Sequence, residues 1–267
     1  MDELLGHESA GSGPMLVLIH GFPFDRRMWA AQGALAQERR VVALDLPGRG
    51  LSAGISVEGA TIESYADQVA ELIRAETGSV GTQADVAGLS MGGYIAFALW
   101  RRHPGLVRSL LLSGTRAGAD SEEGKAARTA NADIAWAEGT IGLAEKMLPK
   151  VLAPATGDEI RNRVLQMFDE TPGLTAIADL VAMRDRADST DLLATITVPT
   201  LVLRGDQDAV ASEADARAMA EGIKEAEFAA IPNAGHLAPL ENPDAWNEAV
   251  RAFYSHSMVA GGFDEMS

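Results

Sequence analysis

Val86-Ala87-Gly88-Leu89-Ser90-Met91-Gly92-Gly93-Tyr94 is the stretch whose reading decides the fold of this chain. A buried apolar strand runs into Gly-Leu-Ser-Met-Gly, which fits Gly-x-Ser-x-Gly, and then directly into an apolar helix from Tyr94 to Trp100. In that strand, turn and helix a serine sits on a strained backbone with its hydroxyl exposed at the end of a sheet. Gly88 and Gly92 suit a turn in which the chain crosses itself too closely for side chains. Gly93 lets the following helix start close against the sheet. The helix N-terminus at Ser90 adds N–H groups and a partial positive charge, which favour an anion forming beside it.

On the N-terminal side, Met15-Leu16-Val17-Leu18-Ile19 and Arg40-Val41-Val42-Ala43-Leu44 are strand-length apolar runs, the first without the alternation of a half-exposed strand. Such runs suit strands buried on both faces of a parallel sheet. Each ends in a loop, His20-Gly21-Phe22-Pro23-Phe24-Asp25 and Asp45-Leu46-Pro47-Gly48-Arg49-Gly50-Leu51-Ser52. Helical spacing follows over Arg26 to Gln37 and again over Ile62 to Ala75. Residues 1 to 14 are polar and glycine-rich and predict little regular structure. On the C-terminal side, strands are predicted at 107–112, 199–203 and 226–231, and helices near 212–221 and over 243–254. The tail from Ser255 to Ser267 reads as flexible. Strands alternating with helices predict an α/β fold, a mostly parallel sheet flanked by helices, with the carboxyl ends of the strands sharing one edge. His20, Asp45 and Ser90 fall on that edge, where ligands bind in open sheets of this kind.

Between Thr115 and Thr197 the pattern changes. The segment is Ala- and charge-rich, lacks strand-like runs, and carries helical stretches near 121–138, 141–151, 159–169 and 174–185, with Pro149, Pro154 and Pro172 as breakers. It reads as a helical insertion at 115–197, so that 1–114 and 198–267 together form the core.

Composition narrows the function classes. With 47% hydrophobic and 22% charged residues the chain is of the soluble globular type, and no apolar run approaches membrane-spanning length. Met1-Asp2-Glu3-Leu4-Leu5 carries acids where a secretory leader carries Lys or Arg, which predicts a cytoplasmic protein. The absence of cysteine excludes disulfides, thiolate metal sites and a cysteine nucleophile. A formal net charge of −16 argues against nucleic acid or anionic lipid as partner. No cofactor or metal site is expected.

A nucleophilic Ser90 needs a base, an acid to orient it, and donors for the oxyanion. His236 follows a late strand and sits in a loop between Gly235 and Leu237 that can aim it at Ser90. His7 and His256 lie near the ends. His103 closes the helix after the elbow, and His20, before Gly21, suits a structural role in tying down the loop of Phe22. The acid is expected between serine and histidine in chain order, at Asp206 or Asp208. Oxyanion donors are expected from the backbone N–H groups of Met91, the residue after the nucleophile, and of Phe22, in the loop after the first buried strand. For substrate contacts, Phe24 and Trp29 lie near that loop. The insertion offers Trp136, Met147, Leu148, Phe168, Leu180 and Met183. Arg26 and Arg27 are placed to greet a carboxylate-bearing substrate.

The set His20-Gly21-Phe22, Asp45 to Ser52, Gly88 to Gly93, Gly205-Asp206-Gln207-Asp208 and Gly235-His236 resembles the α/β-hydrolase superfamily over nearly the whole chain. Within it, Gly-Leu-Ser-Met-Gly-Gly with His-Gly-Phe-Pro is similar to small carboxylesterases and enol-lactonases of the 3-oxoadipate type. The resemblance implies that Asp208, closing a Gly-x-x-Asp turn, is the triad acid, and that the insertion caps the active site. It departs from the family at the N-terminus, where two strands usually precede the first buried one. The implied activity is hydrolysis of a carboxylic ester or lactone, a small-molecule substrate, through an acyl-enzyme. Acyl transfer, cofactor-free perhydrolysis and C–C bond hydrolysis use the same residues, and a non-catalytic binding protein on this scaffold is the remaining alternative.

Overall fold

A computed structural model of the chain describes residues 3–78 and 83–261. Seven strands form one sheet: β1 (His7–Ala10), β2 (Met15–Ile19), β3 (Arg40–Leu44), β4 (Ala84–Leu89), β5 (Val107–Ser113), β6 (Thr200–Gly205) and β7 (Glu227–Ile231). Their order is β1-β3-β2-β4-β5-β6-β7. All neighbours are parallel except β1, which pairs antiparallel with β3 from His7↔Leu44 to Ala10↔Val41. The apolar strands β2, β4 and β6 are buried along their whole length, as strands covered on both faces must be.

Helices α1 (Ile62–Thr77) and α2 (Met91–Arg102) pack on each other, while α7 (Glu213–Gly222), the short α8 (Ala238–Glu241) and α9 (Pro243–Gly261) complete the core. α1 begins with a capping box, in which the Thr61 hydroxyl accepts from Ser64 N–H and the Ser64 hydroxyl from Thr61 N–H, and it ends on Gly78 at φ 63°. Inserted between β5 and β6 are α3 (Glu122–Glu138), α4 (Ile141–Val151), α5 (Asp158–Glu170) and α6 (Gly173–Arg184).

The structure differs from the sequence reading at four places. β1 lies where no regular structure was expected, and it supplies one strand ahead of the first buried one. The segment Arg26–Gln37 is a run of 3₁₀ turns that buries Trp29, Gln32 and Leu35 at a spacing of three. Pro149 lies inside the last turn of α4, where only one more turn of ladder remains to be disturbed. Finally, α9 continues through the first part of the expected flexible tail to Gly261; residues 262–267 of that tail lie outside the described residues.

The insertion is tied to the core by polar contacts across long sequence distances. Asp179 on α6, fully buried, accepts from Arg49 Nη2 at 2.5 Å and from the Tyr65 hydroxyl at 2.8 Å. Burial pushes the Asp179 carboxyl up, against the pull of the Arg49 guanidinium and the Tyr65 hydroxyl. The hydroxyls of Thr171 and Thr175 donate to the carbonyls of Pro23 and Gly48 at 2.8 and 3.0 Å. Removing one member of a buried ion pair strands its partner, which costs more than the pair contributes. Asp179→Ala is therefore expected to lower stability by about 3 kcal/mol, and the apolar pair Arg49→Met/Asp179→Leu to recover most of that loss. Urea unfolding of the three proteins measures both; equal losses in the single and double variants would refute this account.

Candidate active site

Ser90 sits between β4 and α2 at φ 54° and ψ −110°, a left-handed conformation that a non-glycine residue keeps only when its surroundings impose it. Those surroundings are close-packed backbone. A Cβ on Gly88 would lie 2.2 Å from the Gly92 carbonyl oxygen, and one on Gly92 would lie 2.2 Å from that of Ile19. One on Gly93 would meet the Thr115 hydroxyl at 2.4 Å. The turn is pinned by Ser90 N–H donating to the Ser113 carbonyl at 2.9 Å and by the Thr115 hydroxyl donating to the Ser90 carbonyl at 2.9 Å.

His236 and Asp208 come together from loops after β7 and β6. The His236 Nδ1 to Asp208 Oδ2 distance is 2.9 Å, and both residues are buried. The second Asp208 oxygen accepts from the N–H groups of Val210 (2.7 Å) and Ala211 (3.0 Å). Burial opposes ionisation of Asp208, but His236 and those two N–H groups outweigh it and hold the carboxyl below its usual range. Asp206 turns to the surface, where it accepts from Ala234 N–H at 3.2 Å. Gly114, at φ 51°, makes room for the pair, because a Cβ there would stand 3.1 Å from His236 Nδ1 and 3.3 Å from Asp208 Oδ2.

Ser90 and His236 line one cavity of about 150 Å³. Phe22, Tyr94, Met147 and Met183 are part of its wall. Met91 opens α2, where the first N–H groups have no partner a turn earlier. Six expected substrate contacts are outside its lining, and of these Leu148, Phe168 and Leu180 are buried in the core. Phe24 is buried edge-on against Phe168 with ring centroids 5.6 Å apart, and Trp29 packs against Trp246 at 5.6 Å, so both serve the core. Trp136 is 75% exposed on α3. Arg26 and Arg27 are engaged by acids, Asp45 and Glu8 for the first and Asp25 and Glu170 for the second. His7, His103 and His256 stand beside Glu76, Asp67 and Glu227, away from the cavity.

Two supporting residues escaped the sequence reading. Glu241 accepts from the N–H groups of Gly235 and Leu237 on either side of His236, at 3.0 and 3.2 Å, and from Ala153 N–H and the Thr156 hydroxyl. A helix start at Leu237 without a Ser, Thr, Asp or Asn cap is the signal that some other acceptor must satisfy those donors. Arg204 is buried and donates to the carbonyls of Asp208 (2.8 Å) and Ala211 (3.1 Å), which fixes the loop of Asp208. Among the described residues no group of three His, Asp or Glu is placed to hold a metal ion, and no helix is long and apolar enough to cross a membrane.

His20 is fully buried and bridges two loops. Its Nε2 accepts from Leu46 N–H at 3.0 Å, which leaves the proton on Nδ1 to donate to the Gly21 carbonyl at 3.0 Å. Desolvation, with Arg49 nearby, lowers its pKa from 6.5 to about 3.

With this geometry in view, the relatives fall into line. Residues 16–249 match the profile of the alpha/beta hydrolase family, and the chain belongs to that family. It is 30% identical over 258 residues, 92% of this chain and 93% of the other, to the AB hydrolase superfamily protein YisY of Bacillus subtilis. Among solved structures, a thermophilic esterase from Thermogutta terrifontis, with malate bound, superposes with a TM-score of 0.90 at 38% identity, covering 94% of this chain and 93% of that one. The enol-lactonase from Burkholderia xenovorans LB400 superposes with a TM-score of 0.83 at 28% identity, covering 94% and 96%.

The buried neutral His20 has a consequence in acid. Above pH 6.5 the folded and unfolded chains are both neutral here, so His20 adds no pH dependence. As pH falls below 6.5 the unfolded chain takes up a proton that the folded one refuses until about 3, so this group makes stability fall with pH over that window. His20→Asn is expected to be less stable than the parent at neutral pH and to lose less on acidification between those limits. Urea unfolding at several pH values measures the difference, and parallel stability–pH curves would show that folding does not lower the His20 pKa.

Proposed function

We propose that this chain is a serine hydrolase that cleaves a carboxylic ester or lactone through an acyl-enzyme on Ser90. The observation that carries the reading is the conjunction of a left-handed Ser90 and a buried His236, hydrogen-bonded to Asp208, on one cavity. The esterase and enol-lactonase among the similar structures support the substrate class.

In this mechanism Ser90 Oγ attacks the carbonyl carbon while His236 Nε2 takes its proton. Asp208 keeps the other ring proton on Nδ1 and stabilises the imidazolium that forms. The oxyanion accepts from the backbone N–H groups of Phe22 and Met91. Collapse of the tetrahedral intermediate expels the alcohol, or opens the lactone, with the proton returned from His236. Water then attacks the acyl-enzyme by the same route and frees Ser90. Residues 115–197 act as a cap over the core formed by 1–114 and 198–267, and Phe22 and Met147 contact the acyl part.

Turnover of p-nitrophenyl butyrate tests this. Ser90→Ala and His236→Ala are each expected to lower kcat by several orders of magnitude, and Asp208→Asn by about ten-thousandfold through the wrong imidazole tautomer. Turnover surviving in Ser90→Ala, or failure of a fluorophosphonate to label Ser90 in the folded protein, would overturn the proposal.

A further inference from the structure

The wall of the Ser90 cavity carries a charge opposite to that of the chain. Arg116, from the loop after β5, Arg128 of α3 and both Lys146 and Lys150 of α4 line it, and no carboxylate does. The chain as a whole has 38 acids against 22 Lys and Arg, and most of its cations sit beside an acid, although Arg101, Arg161 and Arg204 donate to backbone carbonyls instead. The chain's other two lysines follow that rule, Lys125 pairing with Glu122 at 2.8 Å and Lys224 with Glu225 at 3.6 Å.

The cavity cations do not. Lys146 bonds only the neutral amide oxygen of Asn131, at 2.9 Å, and Lys150 makes no hydrogen bond or ion pair with the described residues. Arg116 and Arg128 share a single carboxylate, Asp120, at 2.7 and 3.0 Å, and Asp120 also serves Arg186 at 2.9 Å. Three guanidiniums share one acid, and the two ammonium groups beside them have no carboxylate partner, so the recess carries more positive than negative charge. Lys146 and Lys150 are also one turn apart on α4, an arrangement of like charges that weakens a helix unless something negative comes between them. Met147, Val151, Met183 and Val210 fill the remaining wall with apolar surface, which suits methylene groups between a charge and a carbonyl at Ser90.

We infer that this cavity selects esters or lactones that carry a free carboxylate, received by Lys146 and Lys150 with Arg116 and Arg128 beside them. The inference rests on Ser90 being the nucleophile of an ester hydrolase. It adds which end of the substrate the insertion recognises: the carboxylate lies under α3 and α4 while the scissile carbonyl lies over Ser90. A carboxylate gains charge-assisted hydrogen bonds from these cations that the neutral ester cannot, so it is bound more tightly.

The experiment compares monomethyl adipate with dimethyl adipate, followed by proton release, in the parent, in Lys146→Gln/Lys150→Gln and in Lys125→Gln as a surface-lysine control. The parent is expected to favour the monoester in kcat/KM, and the double variant to reduce that ratio about tenfold or more through KM, while Lys125→Gln leaves it unchanged. Equal kcat/KM for the two esters in the parent, or a ratio that the double variant does not move, would overturn the inference while leaving the ester-hydrolase reading intact. Calorimetric titration with adipate separates the two further, since it needs no turnover. Binding that is weakened in the double variant supports the carboxylate site even in a protein that hydrolyses neither ester, and absence of adipate binding in such a protein overturns it.

Discussion

Everything at this active site depends on one close approach of backbone. Gly88 at the end of β4 lies against Gly92 in the first turn of α2, and Gly92 in turn lies against the carbonyl of Ile19 at the end of β2. With no side chains between them, the strand can turn into the helix within a single residue, and that residue is forced to φ 54°. The strain at Ser90 is held by the packing of β2, β4 and α2. The same approach sets α2 beginning at Met91, directly after Ser90.

A second constraint is that polar groups removed from water must be paired. Asp208 meets it by spending one oxygen on His236 and the other on two backbone N–H groups, and Arg204 then holds the carbonyls of the same loop. Glu241 does likewise for the histidine loop and reaches across to the start of the connection between α4 and α5. The two loops therefore cannot shift independently of the core. Asp179 extends the principle to the insertion, where its carboxylate binds α6 to Arg49 and Tyr65.

How much of this could be read from the chain divides along physical lines. Buried parallel strands announce themselves as apolar runs, so β2 to β6 were legible to within a residue or two, and the half-buried β7 was found from its place after the last helix-strand alternation. β1 was not, because His7-Glu8-Ser9-Ala10 is mostly exposed and its pairing is specified by the free edge of β3. The elbow, Asp208 and His236 were legible because local turns with fixed residue requirements carry them. Glu241 and Arg204 were harder, since each acts on backbone groups that any residue possesses. Trp136 shows the limit of helical spacing: periodicity defines a stripe but not which neighbour covers it, and α3 leaves Trp136 in solvent. Phe24 and Trp29 show the converse: nearness to the loop of Phe22 in sequence did not bring them to the cavity, and both pack in the core.

The contrast between satisfied and unsatisfied charge is the last step. In the core, Asp208, Asp179 and Asp85 each have cationic or N–H partners within hydrogen-bond reach, and Arg108 and Ser109 on Asp85, at 2.9 and 2.6 Å, close the far end of β4 in the same way. On the insertion, Lys146 and Lys150 face a cavity that offers them no acid. A chain with a large excess of carboxylates has no difficulty pairing two lysines, so leaving them unpaired costs solubility nothing and stability little, provided they stay hydrated. Under the proposed reading, these cations would favour an anion in the cavity. The core and the insertion thus differ in charge state: fixed pairs surround Ser90, His236 and Asp208, while the cations above them have no carboxylate partner of their own, which is what the proposed substrate selection rests on.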